Sequence, residues 1–187
     1  VRLIMHTDPL DKNGQNLISI INEIGADDGR VQISKSKISP EALSMIYNSV
    51  DCTINISDAE GFGLATLESL SCGTPIIANM TGGLQEQVTD GESVFGISIE
   101  ASSKAIIGSQ QVPYIYEDRI SREDFMNALR KIYNMPKEDR ETLGELGMKH
   151  VQDNYNFKKF SQTWVDLMDS VCERHGSWKN RASRDSR

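Results

Sequence analysis

The sequence predicts an α/β fold, a Rossmann-like parallel sheet with helices on both faces. Three observations point there. Short β-prone runs and amphipathic stretches alternate along the first 80 or so residues, the order expected of a parallel sheet. Residues 75–78, Pro-Ile-Ile-Ala, are too apolar to alternate, as a strand covered on both faces must be. Between a β-prone run at 51–57 and a helical run from Leu64 stands a glycine-bracketed turn, Glu60-Gly61-Phe62-Gly63. Open α/β sheets place such turns at the carboxyl ends of their strands, where ligands bind.

Taken in order, residues 1–6 read as a buried-type strand, and Thr7 to Asp11 as a loop whose Asp8 and Asp11 make turn and cap hydrogen bonds. A helix follows over 15–24, with Leu17, Ile20, Ile21 and Ile24 on one face. A turn at 25–29 leads to a strand at 30–34. Ser39 as N-cap and Pro40 at the first helical position mark the next helix, with Leu43, Ile46 and Tyr47 as its apolar face. The strand at 51–57, with Thr53, Ile54 and Ile56, gives way at Glu60. From 64 to 72 the apolar residues Leu64, Leu67 and Leu70 recur at helical spacing, and Gly73-Thr74-Pro75 ends that helix.

After the strand at 75–78, Asn79-Met80-Thr81-Gly82-Gly83-Leu84 is a second glycine turn, followed by a short helix at 85–89, a turn at Asp90-Gly91-Glu92 and a short strand at 96–99. Residues 101–118 show no clean period and read as an excursion from the sheet, with no function legible in them. Ser121 caps a helix with Phe125, Leu129, Ile132 and Tyr133 as its buried stripe. Pro136 starts another, with Leu143, Leu146, Val151 and Tyr155 inward. Residues 157–172 form a last amphipathic helix with Phe160, Trp164, Leu167, Met168 and Val171 on one side. Residues 1–175 are thus expected to form one domain, and 176–187 a polar, disordered tail.

The totals narrow the function. A chain of 187 residues suits one domain with a full core. A formal net charge of −7 argues against a nucleic-acid binder, which would carry a basic excess. No apolar run approaches the about 20 residues that span a bilayer, so no transmembrane segment is expected. The chain opens on Val1-Arg2-Leu3 without an initiator Met or a signal peptide and reads as an excised piece. Cys52, Cys72 and Cys172 show no CxxC spacing; they are expected to be reduced thiols of a cytoplasmic protein, the first two as packing residues. No His or Cys stands at metal-ligand spacing, so no metal site is expected, and the lone His6 reads as structural.

The Glu60–Gly63 turn has a physical use. The helix behind it presents unpaired N–H groups and a positive dipole end, and the glycines let a ligand approach the backbone. That suits a phosphate or diphosphate. Glu60 and Glu68 flank the site. Carboxylates are poor ligands for phosphate but good acceptors for sugar and ribose hydroxyls. The whole run EGFGLATLE, then SCGTPIIA and TGGL, closely resembles the retaining glycosyltransferases of family 4, the group 1 glycosyl transferases. Two glutamates separated by seven residues, with Gly-Phe-Gly-Leu inside them and Cys-Gly-Thr-Pro after, carry the likeness, which runs from Val1 to about Val171.

That family has the GT-B fold, two Rossmann-like halves around a cleft, and the likeness covers only its donor-binding, C-terminal half. The resemblance implies a nucleoside diphosphate sugar as donor, no cofactor and no metal. It implies that Glu60 contacts hydroxyls of the transferred sugar, that Glu68 binds the ribose diol, and that the N–H groups of Phe62, Gly63 and Leu64 face the diphosphate, with Gly61 giving room. Thr81, Gly82 and Gly83 would lie against the donor's sugar and phosphates; otherwise they are a tight turn. Phe62 serves better as a packing anchor than as a platform for the base. Lys35 and Lys37 border the loop that would seat the base, and are equally well explained as solvated charges. The family's Arg and Lys that grip the diphosphate belong to a unit expected to precede Val1, as does the N-terminal acceptor domain. Two other classes remain: a non-catalytic binding or assembly module with the same fold, and a nucleotide-sugar epimerase. A dehydrogenase is disfavoured because no GxGxxG follows the first strand.

Overall fold

A computed structural model of the chain describes residues 1–12 and 14–176; the expected tail lies, from residue 177 on, outside the described residues. Its contacts gather into two compact units, Val1–Leu43 and the chain from Ser44 onward.

In the first unit, β1 (Leu3–His6) and β2 (Val31–Ser34) pair in parallel, Leu3 opposite Val31 and His6 opposite Ser34. Between them lies α1 (Leu17–Glu23), capped by the Asn16 side chain on the Ser19 N–H. The expected buried strand at 1–6 is corrected here: Leu3 is 45% and Ile4 39% exposed, and α1 has no buried residue. β1 is bonded to β2 alone, so its period of apolar residues has no packed layer to match within this unit. Asp8 accepts from the Leu10 N–H, the expected turn. α2 (Pro40–Asn48) begins at Pro40, with the Ser39 hydroxyl accepting from the Ala42 N–H.

The second unit is built on β3 (Thr53–Asn55), β4 (Ile76–Asn79) and β5 (Ile97–Ile99), all parallel, with β4 in the middle. Every residue of β4 is buried. The period of two sends its side chains to opposite faces. Ile76 and Ala78 join Leu70 of α3 (Leu64–Ser71) and Leu84 and Val88 of α4 (Leu84–Val88); Ile77 joins Ile97, Ile99 and, from α5 (Arg122–Asn134), Ala128 and Ile132. Helices therefore cover both faces, as the apolar run at 75–78 requires. Each fully buried Leu or Ile contributes about 1.5–3 kcal/mol.

β3 is shorter than expected because Ser57 turns back, its N–H and hydroxyl both on the Asn55 side-chain oxygen. On α5, Tyr133 is 72% exposed and leaves the expected stripe, which Ala128 completes instead. On α6 (Lys137–Asn154) the buried face is Gly144, Gly147 and His150, and Leu146 points outward. A Cβ at Gly144 would meet the Gly73 carbonyl oxygen at 1.9 Å, so α6 rides backbone-to-backbone on the end of α3. His150 donates from Nε2 to the Glu86 carbonyl at 3.0 Å, with the Asn154 amide on Nδ1, and stacks on Phe95. α7 (Phe157–His175) buries none of its residues; Phe157, Phe160, Trp164, Leu167, Met168 and Val171 are all exposed. Among the described residues no helix is long and apolar enough to cross a membrane.

The aperiodic stretch at 101–118 forms an antiparallel hairpin, β6 (Ser103–Ile107) and β7 (Ile115–Arg119), which no ladder joins to the parallel sheet.

Candidate functional site

Two glycine turns meet at the carboxyl ends of β3 and β4. The first runs from Asp58 to Gly63 and enters α3. Gly63 is its N-cap, at φ 92°, and supplies no side-chain cap. The Gly63 carbonyl accepts from Thr66 and Leu67, while the N–H groups of Leu64 and Ala65 find no partner among the described residues. The helix start thus keeps open donors at its positive end.

The second turn, Met80 to Gly83, is pressed onto the first. The Gly83 N–H donates to the Glu60 carbonyl at 3.3 Å. A Cβ on Gly82, itself at φ +48°, would stand 1.7 Å from that same oxygen, and one on Gly83 2.6 Å from the Phe62 carbonyl oxygen. Gln87 of α4, wholly buried, donates its amide to the Phe62 carbonyl, while its own Oε1 is left unpaired. Glycine is therefore required in the second turn by the backbone of the first.

The side chains expected to act are distributed as follows. Glu60 is half-buried, and its carboxylate has no hydrogen bond or ion pair among the described residues. Gly61 has open space where a Cβ would stand. Phe62 is half-exposed, with its edge-to-face contact on Tyr155 at 6.2 Å, and so serves partly as an anchor. Leu64 is 68% exposed at the helix start. Glu68, one turn further along α3 and exposed, accepts a hydrogen bond at 2.8 Å from the Tyr47 hydroxyl. Burial, and then the Glu68 carboxylate, push the Tyr47 hydroxyl well above the usual tyrosine range, so it stays a donor. Thr81 is buried, its hydroxyl 2.8 Å from Asp118 Oδ2. Lys35 belongs to the first unit, where it lies 3.3 Å from Asp8; His6 there bonds the Ser34 hydroxyl at 3.0 Å.

The turns of Glu60–Gly63 and Thr81–Gly83 are thus brought together; Gln87 and Asp118 bond to them, Tyr47 bonds instead to Glu68 on α3, and the sequence gives none of the three this role. Tyr47 was visible only as an apolar helix position, and Asp118 lay in the stretch without a period. Gln87, a wholly buried amide in a helix of five residues, had no signal beyond the apolar residues around it. Among the described residues no three His, Cys, Asp or Glu gather as a metal would need. A hollow of about 440 Å³ lies between β5 and α5, lined by Ser102, Asp124 and Lys131 among others, and includes no residue of either glycine turn.

Known proteins share parts of this sequence and this fold. The chain is 31% identical over 113 residues to the D-inositol 3-phosphate glycosyltransferase of Arthrobacter sp. (strain FB24), covering 60% of this chain and 26% of that one. Its fold is shared with sucrose-phosphate synthase of Thermosynechococcus elongatus at a TM-score of 0.68 and 24% identity, over 92% of this chain and 38% of that one. It is likewise shared with the Anabaena HepE protein in complex with UDP-glucose, at 0.64 and 18%, over 90% and 41%. At these identities the likeness shows a shared fold. The chain therefore spans about a quarter of the length of the curated relative. Residues 29–132, more than half of the chain and including both glycine turns, match one family, and the chain belongs to the glycosyl transferases group 1.

Proposed function

We propose that the chain is the donor-binding part of a retaining family 4 glycosyltransferase, which moves a hexose from a nucleoside diphosphate sugar to a hydroxyl acceptor in the cytoplasm. One observation carries the reading: the uncapped start of α3 opens beside Glu60, whose carboxylate has no partner among the described residues, in a turn pressed against a second glycine turn. In this reading the diphosphate lies at the N–H groups of Phe62, Gly63 and Leu64, to which the open N–H of Ala65 is added. Negative charge develops there as the glycosidic bond to it breaks, and fixed donors stabilise it more in the transition state than in the ground state. Glu60 accepts from hydroxyls of the transferred sugar. Glu68, with one oxygen held by Tyr47, offers the other to the ribose diol. The acceptor half, and the cations that grip the diphosphate in this family, lie outside the sequence given. Three free cysteines fit a reducing compartment.

The test is a calorimetric titration with UDP, GDP and ADP and their glucose or mannose esters. Glu68→Ala should weaken the nucleoside diphosphate itself, by about tenfold for one lost charged hydrogen-bond acceptor. Glu60→Ala should bind the nucleoside diphosphate as before and lose only the increment due to the sugar. Failure of every nucleotide to bind, even to a version extended upstream, removes the reading.

The exposed apolar face of α7 favours a second reading, a non-catalytic assembly module. A transfer assay on the longer gene product separates the two: activity that Glu60→Ala abolishes excludes the module.

A further inference from the structure

The β6–β7 hairpin is bonded to no strand of the parallel sheet, yet its last two residues are tied to both glycine turns. Asp118 uses all three of its polar groups for this. Its N–H donates to the Asp58 carbonyl at 2.7 Å, in the turn that carries Glu60. Its carboxylate Oδ2 accepts from the Thr81 hydroxyl at 2.8 Å, in the turn that carries Gly82 and Gly83. Its carbonyl accepts at 3.4 Å from the Asn79 amide, which also reaches the Ser57 carbonyl at 2.9 Å. Arg119 adds an ion pair to Asp58 at 2.6 Å. Asn79 and Thr81 are buried, and the Asp118 side chain is only 18% exposed, so solvent weakens the bonds that Asp118 makes to them little.

We propose that Asp118, carried on this hairpin, is a positioning residue of the site: it fixes the Thr81–Gly83 turn against the Glu60 turn at the spacing a bound donor needs. The proposal rests on the donor-site reading above and deepens it. The physical argument is one of degrees of freedom. Among the described residues the two turns touch through a single backbone hydrogen bond, Gly83 to Glu60, and through glycine backbones that hold by contact alone. Glycines leave such a turn many conformations. A hydroxyl-to-carboxylate bond at Thr81, the residue just before Gly82, removes that freedom at its root. A hairpin inserted between β5 and α5 thus fixes the relative placement of two loops to which it has no main-chain ladder. A ligand that needs both turns in register gains by not having to order them.

The experiment uses the 187-residue chain and three variants: Thr81→Val, which keeps the shape and removes the hydroxyl, Asp118→Ala, and the two together. Thr81→Ser is the conservative rescue. Lys104→Ala is the control, since Lys104 is exposed and pairs with the other Asp118 oxygen at 3.4 Å. Binding of UDP, GDP and ADP is read by calorimetry, and exchange of the Gly83 amide by nucleotide-free hydrogen exchange. Thr81→Val and Asp118→Ala should each weaken the nucleotide that binds wild type by about tenfold, and the pair should be no weaker than Asp118→Ala alone. Thr81→Ser and Lys104→Ala should bind as wild type. Gly83 exchange should quicken in Thr81→Val and stay as it was in Thr81→Ser. Wild-type binding with no loss in Thr81→Val or Asp118→Ala overturns the positioning role and leaves the donor site standing. Additive losses in the pair overturn it too, because each residue would then act alone. The variants are read in whichever of the 187-residue chain and a version extended upstream binds a nucleotide; if neither binds one, the donor reading fails and takes this proposal with it.

Discussion

The two glycine turns look alike in sequence and differ in what demands the glycine. In Thr81-Gly82-Gly83 the demand is internal: the backbone of Glu60 to Phe62 occupies the space where each Cβ would stand. In Glu60-Gly61-Phe62-Gly63 it is mixed. Gly63 needs its positive φ to start α3, and a Cβ there would meet Leu84 at 2.5 Å. Gly61 has neither constraint. Packing and backbone angle explain three of these four glycines and leave Gly61 unexplained.

The sharpest break of that contrast is Gly82→Ala. A Cβ 1.7 Å from the Glu60 carbonyl oxygen forces a backbone shift, and φ +48° adds strain. The expected loss is about 3 kcal/mol, which lowers the melting temperature by roughly 10 °C in a chain of this size. Thermal denaturation followed by circular dichroism reads it. A variant that melts with wild type would show that the two turns are not in contact.

A smaller effect is expected from Tyr47→Phe, which frees the Glu68 carboxylate. At neutral pH the lost hydrogen bond costs about 0.5–1.5 kcal/mol. The pH dependence has a definite sign. Burial and Glu68 raise the Tyr47 hydroxyl above its value of 10.0 in the unfolded chain. Below that value both states hold the proton and the contribution is complete. Above it the unfolded chain releases the proton first, so stability falls as pH rises. The gap between wild type and Tyr47→Phe in urea denaturation should therefore be constant up to about pH 10 and shrink beyond. A gap that widens above pH 10 would mean that the hydroxyl is not held by a carboxylate.

These residues also show what the sequence could carry. The apolar run at 75–78, the cap at Ser121 and the Ser39-Pro40 start each act locally, and each is where it was read. The glycine turns were legible because a strand must break and a helix must begin there. Contacts between distant segments were not. Asp118 meets Thr81 across 37 positions, and Tyr47 meets Glu68 across 21, so no local pattern announces either. The exposed stripe of α7 and the burial of Gly144 and Gly147 on α6 teach the same lesson from opposite sides. An apolar face states that a partner is wanted and not whether this chain supplies it. A glycine on a helix can mark the closest packing of all.

The smallest structural effect belongs to Gly61→Ala, and it sharpens the comparison most. The added methyl meets nothing within 4 Å, and φ there lies outside the left-handed range. Stability should change by less than about 0.5 kcal/mol, since alanine also restricts the unfolded chain. Nucleotide affinity should nevertheless fall. In the proposed donor site a diphosphate drawn to the open N–H groups at the start of α3 would pass against this stretch of backbone, and a methyl in its path would cost about 1–3 kcal/mol, or roughly ten- to a hundredfold in Kd. Melting and calorimetry on one preparation read both quantities. A lowered melting point would put Gly61 with Gly82 as a packing glycine. Unchanged melting together with unchanged affinity would mean that no ligand comes close to the backbone there, and the contrast between the two turns would then carry no functional meaning.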